Sequence, residues 1–167
     1  MHRAISLFAA LSLLVVLGAV PVAAQTIITF RSIVHETFER RASAEPCIFD
    51  EVAETFTCPG TGTVQGYGQV ASSIVFTEDS AIRTLTFSDG STLLIAEDEF
   101  ISFETPGNSR EAPGAMVSFG NPSFFQVTWV VVGGTGIFEG ATGEGTQIVQ
   151  VAGDVANIKM IGTITLV

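Results

Sequence analysis

Apolar and polar residues alternate with a period of two along most of the chain beyond residue 25, and glycine breaks the alternation at short intervals. No stretch sustains a helical period, so the pattern predicts an all-β domain. The last segment is the clearest. Ala156, Ile158, Met160, Ile164 and Leu166 fall on one face, and Asn157, Lys159, Thr163 and Thr165 on the other, the signature of a half-buried strand. Thr146 to Val151 precedes it across Ala152-Gly153-Asp154, a short turn that predicts a hairpin. A second hairpin joins Ile82–Phe87 to Thr92–Ala96 through Ser88-Asp89-Gly90-Ser91, where Asp-Gly suits a tight reversal.

Further strands are expected at Ile27–Phe38, Glu54–Cys58, Val64–Thr77 with a glycine-induced break, Phe100–Thr105, Met116–Phe119 and Phe124–Val132, with Thr105–Gly114 as a loop. About eight antiparallel strands with short connections suit a closed barrel or a two-sheet sandwich. The closed eight-stranded antiparallel barrel is preferred, because Val127, Trp129 and Val131 fill one face of their strand while Val130 and Val132 keep the other apolar. An apolar outer face implies packing against a partner, and a homo-oligomer, dimer or trimer, is the expectation.

The amino terminus reads differently. His2 and Arg3 precede the apolar stretch Leu7 to Val20, and Val22-Ala23-Ala24 offers the small residues of a cleavage site. Residues 1–24 are therefore read as a signal peptide and 25–167 as a single domain, secreted or periplasmic. The apolar core of that segment is short for a membrane span, and no membrane association is expected. From Gln25 onward six basic residues stand against seventeen acidic ones, a formal charge of −11 that disfavours nucleic acid. Cys47 and Cys58, the only cysteines, predict a disulfide in an oxidising compartment. Metal binding lacks the extra ligands it needs, and neither a metal nor a cofactor is expected.

Gly133 to Gly145, G-G-T-G-I-F-E-G-A-T-G-E-G, follows the apolar run Phe124–Val132. Its glycines mark backbone at positive φ or in close approach to a neighbour, and Phe138, the one large side chain, is expected to plug the end of a core. Gly133, Gly134, Thr135, Gly136, Phe138, Ala141 and Gly143 resemble the G-G-[ST]-G-x-F-x-x-A-x-G motif of the allene oxide cyclase and dirigent family. That resemblance implies an eight-stranded calycin-like barrel. Val34-His35-Glu36, with Glu39 and Arg40, is similar to the cyclase stretch that carries a functional glutamate, so the resemblance makes Glu36 the candidate catalytic residue. The asparagine two positions further on in that family is Phe38 here. The acid and arginine set that dirigent proteins use to stabilise a quinone methide is not found in the sequence.

Other chemistry is thinner. His35 is the only histidine beyond the amino-terminal segment, and no G-x-S-x-G is present, which argues against a Ser-His-Asp hydrolase. His35 and Glu36 are neighbours on a strand and point to opposite faces. Glu97-Asp98-Glu99 reads as a solvated turn or a charged guard against edge pairing rather than as acid-base machinery. The glycines after Val132 open no helix, which excludes a dinucleotide site. Tyr67, Trp129 and Phe138 are the aromatic candidates to line a pocket for a small hydrophobic molecule. The leading expectation is an exported barrel that binds such a ligand. The alternatives are an isomerase or cyclase acting on an unsaturated lipid or phenolic, and a scaffold with a filled centre.

Overall fold

The computed structural model describes residues 25–37, 47–102, 123–152 and 155–167. Nine strands run in chain order as β1 (Thr26–Thr37), β2 (Ile48–Asp50), β3 (Thr55–Val64), β4 (Gly68–Phe76), β5 (Ala81–Phe87), β6 (Thr92–Ser102), β7 (Ser123–Thr135), β8 (Thr142–Ala152) and β9 (Val155–Leu166), with a 3-10 turn at Gly136–Phe138. Each strand pairs antiparallel in the order β1-β9-β8-β7-β6-β5-β4-β3, and a β1–β3 ladder from Ser32↔Val64 to Glu36↔Gly60 closes the ring. The chain is thus an all-β, eight-stranded closed barrel. β2 hangs outside it on β3, tied by the Cys47–Cys58 disulfide.

Both predicted hairpins form, as β5–β6 around Gly90 at φ 85° and as β8–β9. Three elements differ from the sequence expectation. The expected Val64–Thr77 segment does break at its glycines, Gly66 and Gly68, both at φ 85°, but Val64 ends a strand, β3, that runs unbroken from Thr55. Glu97-Asp98-Glu99 is no turn, because β6 continues to Ser102 with a register shift between Glu97 and Phe100. Pro59 lies within β3, one residue beyond where the expected Glu54–Cys58 strand stops, at the place where that edge changes partner from β2 to β1. Residues 1–24, Phe38 and the expected Met116–Phe119 strand lie outside the described residues.

Strand alternation sends every second side chain inward, and the registers stack these into layers. One layer runs Phe30, Gly162, Gly145, Trp129 across β1, β9, β8 and β7, and the next runs Ser32, Met160, Gln147, Val127. Trp129 reaches back across the two glycines to meet the Phe30 ring edge-on at 5.6 Å. A Cβ at Gly145 or Gly162 would come within 2.4 Å of the indole, so these glycines are the space that the indole occupies. The turns after β3, β5 and β7 gather at one end. There Phe138 is buried between Phe87, at 4.6 Å, and Tyr67, at 5.5 Å, and it plugs that end.

Candidate functional site

At the opposite end the barrel interior turns polar. Glu36 is the last buried residue of β1, Ser72 faces inward from β4, Arg83 from β5 and Glu97 from β6. Each occupies a position that alternation otherwise gives to apolar residues: Arg83 shares its face with Leu85 and Phe87, Glu97 with Leu93 and Ile95, Glu36 with Phe30 and Val34. Arg83, 1% exposed, is the hub. Its Nη1 donates to Glu36 Oε1 and, at 3.0 Å, to Ser72 Oγ. Its Nε donates to Glu97 Oε1 at 3.0 Å, and its Nη2 lies in ion-pair contact with the same oxygen at 2.9 Å. The second oxygen of each carboxylate takes no hydrogen bond from the guanidinium.

Local sequence makes room for this. Gly60 lies opposite Glu36 in the β1–β3 register, and a Cβ there would stand 2.8 Å from Glu36 Cγ and 2.6 Å from the His35 carbonyl oxygen. Burial pushes the Glu36 carboxyl above its ordinary value; Arg83 draws it down by less, and Glu97 adds to the rise. Arg83 is held above its ordinary value by Glu36 and Glu97, against its own desolvation. Two carboxylates thus share one buried cation.

The remaining predicted residues are dispersed. Trp129 and Phe138 are wholly enclosed in the interior layers and the end plug, and Tyr67 packs half-buried against that plug. As placed, these rings fill the barrel, and a pocket among them would require their displacement. In the glycine segment, Gly136 takes φ 62° against Ser91, whose Oγ accepts the Ile137 N–H at 3.2 Å, and Gly134 and Gly143 lie against neighbouring backbone. Ala141 is buried beside Phe138, whereas Gly133 has a negative φ and open space around it. His35 points outward and shares a 2.6 Å hydrogen bond with Asn157. Two grooves, of about 700 and 270 Å3, lie on the outer wall along β1 and β3.

Sequence reasoning did not bring Glu36, Arg83 and Glu97 together as one cluster. Arg83 and Glu97 meet across the β5–β6 hairpin, and Glu36, far away in the chain, joins them only through the barrel. The signal was a charge at an inward position of three separate strands. Three further inward polar groups, Ser32 Oγ, Trp129 Nε1 and the Gln147 amide, are buried without a hydrogen-bond partner among the described residues.

No protein-family model and no curated protein matches this sequence. Among solved structures, that of a pterocarpan synthase dirigent protein superposes with a TM-score of 0.52 over 95% of this chain and 97% of its own, at 14% sequence identity. The ring of eight antiparallel strands, closed between β1 and β3, is therefore the dirigent-type barrel, and this chain has that fold.

Proposed function

We propose that the protein is an exported barrel that binds a small hydrophobic molecule bearing an oxygen function, with the polar group at the Glu36–Arg83–Glu97 end. The observation that carries this reading is the fully buried arginine held by two carboxylates inside an otherwise apolar barrel. Such a network gives little or no stability over apolar fill of equal volume, so it needs another reason to be there. The carboxyl oxygens that Arg83 leaves free offer polar partners, and the surrounding leucine, isoleucine and valine side chains an apolar wall. Ser32, Gln147 and Trp129 extend the polar lining deeper into the barrel. The disulfide agrees with export.

The raised Glu36 supports a second reading, an isomerase or cyclase of the dirigent or allene oxide cyclase type. Glu36 then exchanges its proton with an unsaturated lipid or phenolic while Arg83 steadies the charge left behind. Native mass spectrometry of the purified protein, followed by titration with unsaturated fatty acids and propenyl phenols, tests binding. A co-purifying or added small molecule retained by the wild type and lost by Arg83→Met supports the proposal; absence of any bound species across both classes overturns it. Turnover that survives Glu36→Gln unchanged overturns the catalytic reading alone.

A further inference from the structure

Two features of the outer wall lie apart from the proposed interior site, and they are complementary. The first is the groove of about 270 Å3 where β1 runs between β9 and β3. Arg31 and Lys159 flank it, Ile33 and Ile161 form its outward apolar surface, and Gln65 closes one side. Arg31 pairs with Ile161 and Lys159 with Ile33 in the β1–β9 register, so cation and isoleucine sit crosswise. Arg83 being buried, Arg31 and Lys159 carry all the exposed Lys or Arg charge among the described residues, and neither is ion-paired there.

The second feature is the tab formed by β2 and the turn into β3. Residues 48–54 are all exposed; Val52 at its tip is 96% exposed, Ile48 65% and Phe49 59%. Glu51 and Glu54 stand on either side of Val52 and Ala53. Asp50 Oδ1 caps the turn, accepting the Val52 and Ala53 N–H groups at 2.9 and 3.0 Å, and the Cys47–Cys58 disulfide pins the base. The tab is therefore a fixed apolar knob edged with acid, and the groove an apolar hollow edged with cations.

The tab cannot reach its own groove. β2 is held opposite Thr55–Thr57, the groove opens beside Thr63–Gln65, and six or more residues of β3 separate them, about 20 Å at strand rise. The tip leads away from the groove, because β2 runs antiparallel to β3 and turns at the β3 start. In a chain whose net charge is strongly negative, two copies attract only where that charge is locally reversed. We propose that the protein self-associates head to tail, the acidic tab of one copy seating in the Arg31–Lys159 groove of the next. Such a contact uses different patches on the two partners and closes as a ring or continues as a filament.

Sedimentation velocity on the purified protein tests this with two surface variants, Arg31→Glu/Lys159→Glu and Glu51→Lys/Glu54→Lys. The wild type is expected to associate with concentration, and less so as salt rises. Each variant alone is expected to lose about tenfold or more in association constant, through replacement of attraction by like-charge repulsion. An equimolar mixture of the two is expected to recover it, since each then offers the other a matched knob and groove. The tab variant is decisive, because it lowers the overall negative charge and would associate more strongly if general repulsion governed. A monomer at all concentrations and salts, a tab variant that associates at least as well as the wild type, or a mixture without recovery each overturns the proposal.

Discussion

Arg83 is the residue on which the barrel interior depends. Replacing it with leucine leaves Glu36 and Glu97 facing each other without a cation in a desolvated site. Removing one partner of a buried ionic group costs about 3–5 kcal/mol, and urea denaturation of Arg83→Leu is expected to show a loss of that size. Glu36 gives the pH dependence. Its carboxyl is raised mainly by burial, so the folded protein holds a proton that the unfolded chain releases. That contribution is complete below the ordinary value of 4.5 and is lost as pH rises through the raised one. The stability of Glu36→Gln relative to wild type is therefore expected to increase with pH over that window, read from denaturation midpoints. Gln147 tests the opposite balance. Its buried amide has no partner among the described residues, so Gln147→Met is expected to stabilise the fold by about 1 kcal/mol while weakening ligand retention. The sequence made Glu36 visible through its resemblance, set Glu97 in a solvated acidic turn or edge guard, and left Arg83 unnoticed. Alternation fixes which face each residue takes and the Asp89-Gly90 turn joins β5 to β6, but the approach of β1 to them depends on barrel closure, which no local pattern encodes.

Among the elements, the hairpins that were legible are those with unambiguous turn chemistry. Asp89-Gly90 lies between two alternating strands, and Asp89 accepts both the Ser91 N–H and its hydroxyl, which holds its carboxyl below the ordinary range. The boundary between β3 and β4 was misplaced because the four glycines between residues 60 and 68 have two different uses. Gly66 and Gly68 turn the chain, whereas Gly60 and Gly62 sit in a strand pressed against β1. Sequence alone does not separate these uses. The glycines of β8 and β9 bear directly on stability: Gly145→Ala or Gly162→Ala drives a methyl into the Trp129 ring. Either is expected to cost about 1–3 kcal/mol by overpacking, with a shifted Trp129 emission as the local readout. At β2 the disulfide closes a short loop, and the Cys47→Ser/Cys58→Ser pair is expected to lower stability by about 3 kcal/mol in the chain-entropy picture. The same pair should free the tab without opening the ring, because β1 pairs with β3 independently of β2.

Taken whole, the molecule joins three surfaces with separate tasks: an aromatic plug at one end, a charged interior at the other, and an outer wall on which basic and acidic patches are kept apart. The barrel itself was anticipated from strand count, alternation and the glycine segment, and the solved dirigent structure has the same fold despite sharing one residue in seven. Ring closure also sets an order of events. β1 waits for β9, and Thr26 faces Leu166 across almost the full length of the chain. Strand pairing over such a separation is entropically slow to form. Until β9 arrives, β1 has only its Ser32–Glu36 ladder with β3, and Arg83 and its two carboxylates have no closed enclosure to share. A chain that crosses a membrane amino end first must therefore stay open through its passage, and it gains a closed interior only once its final twelve-residue strand is through.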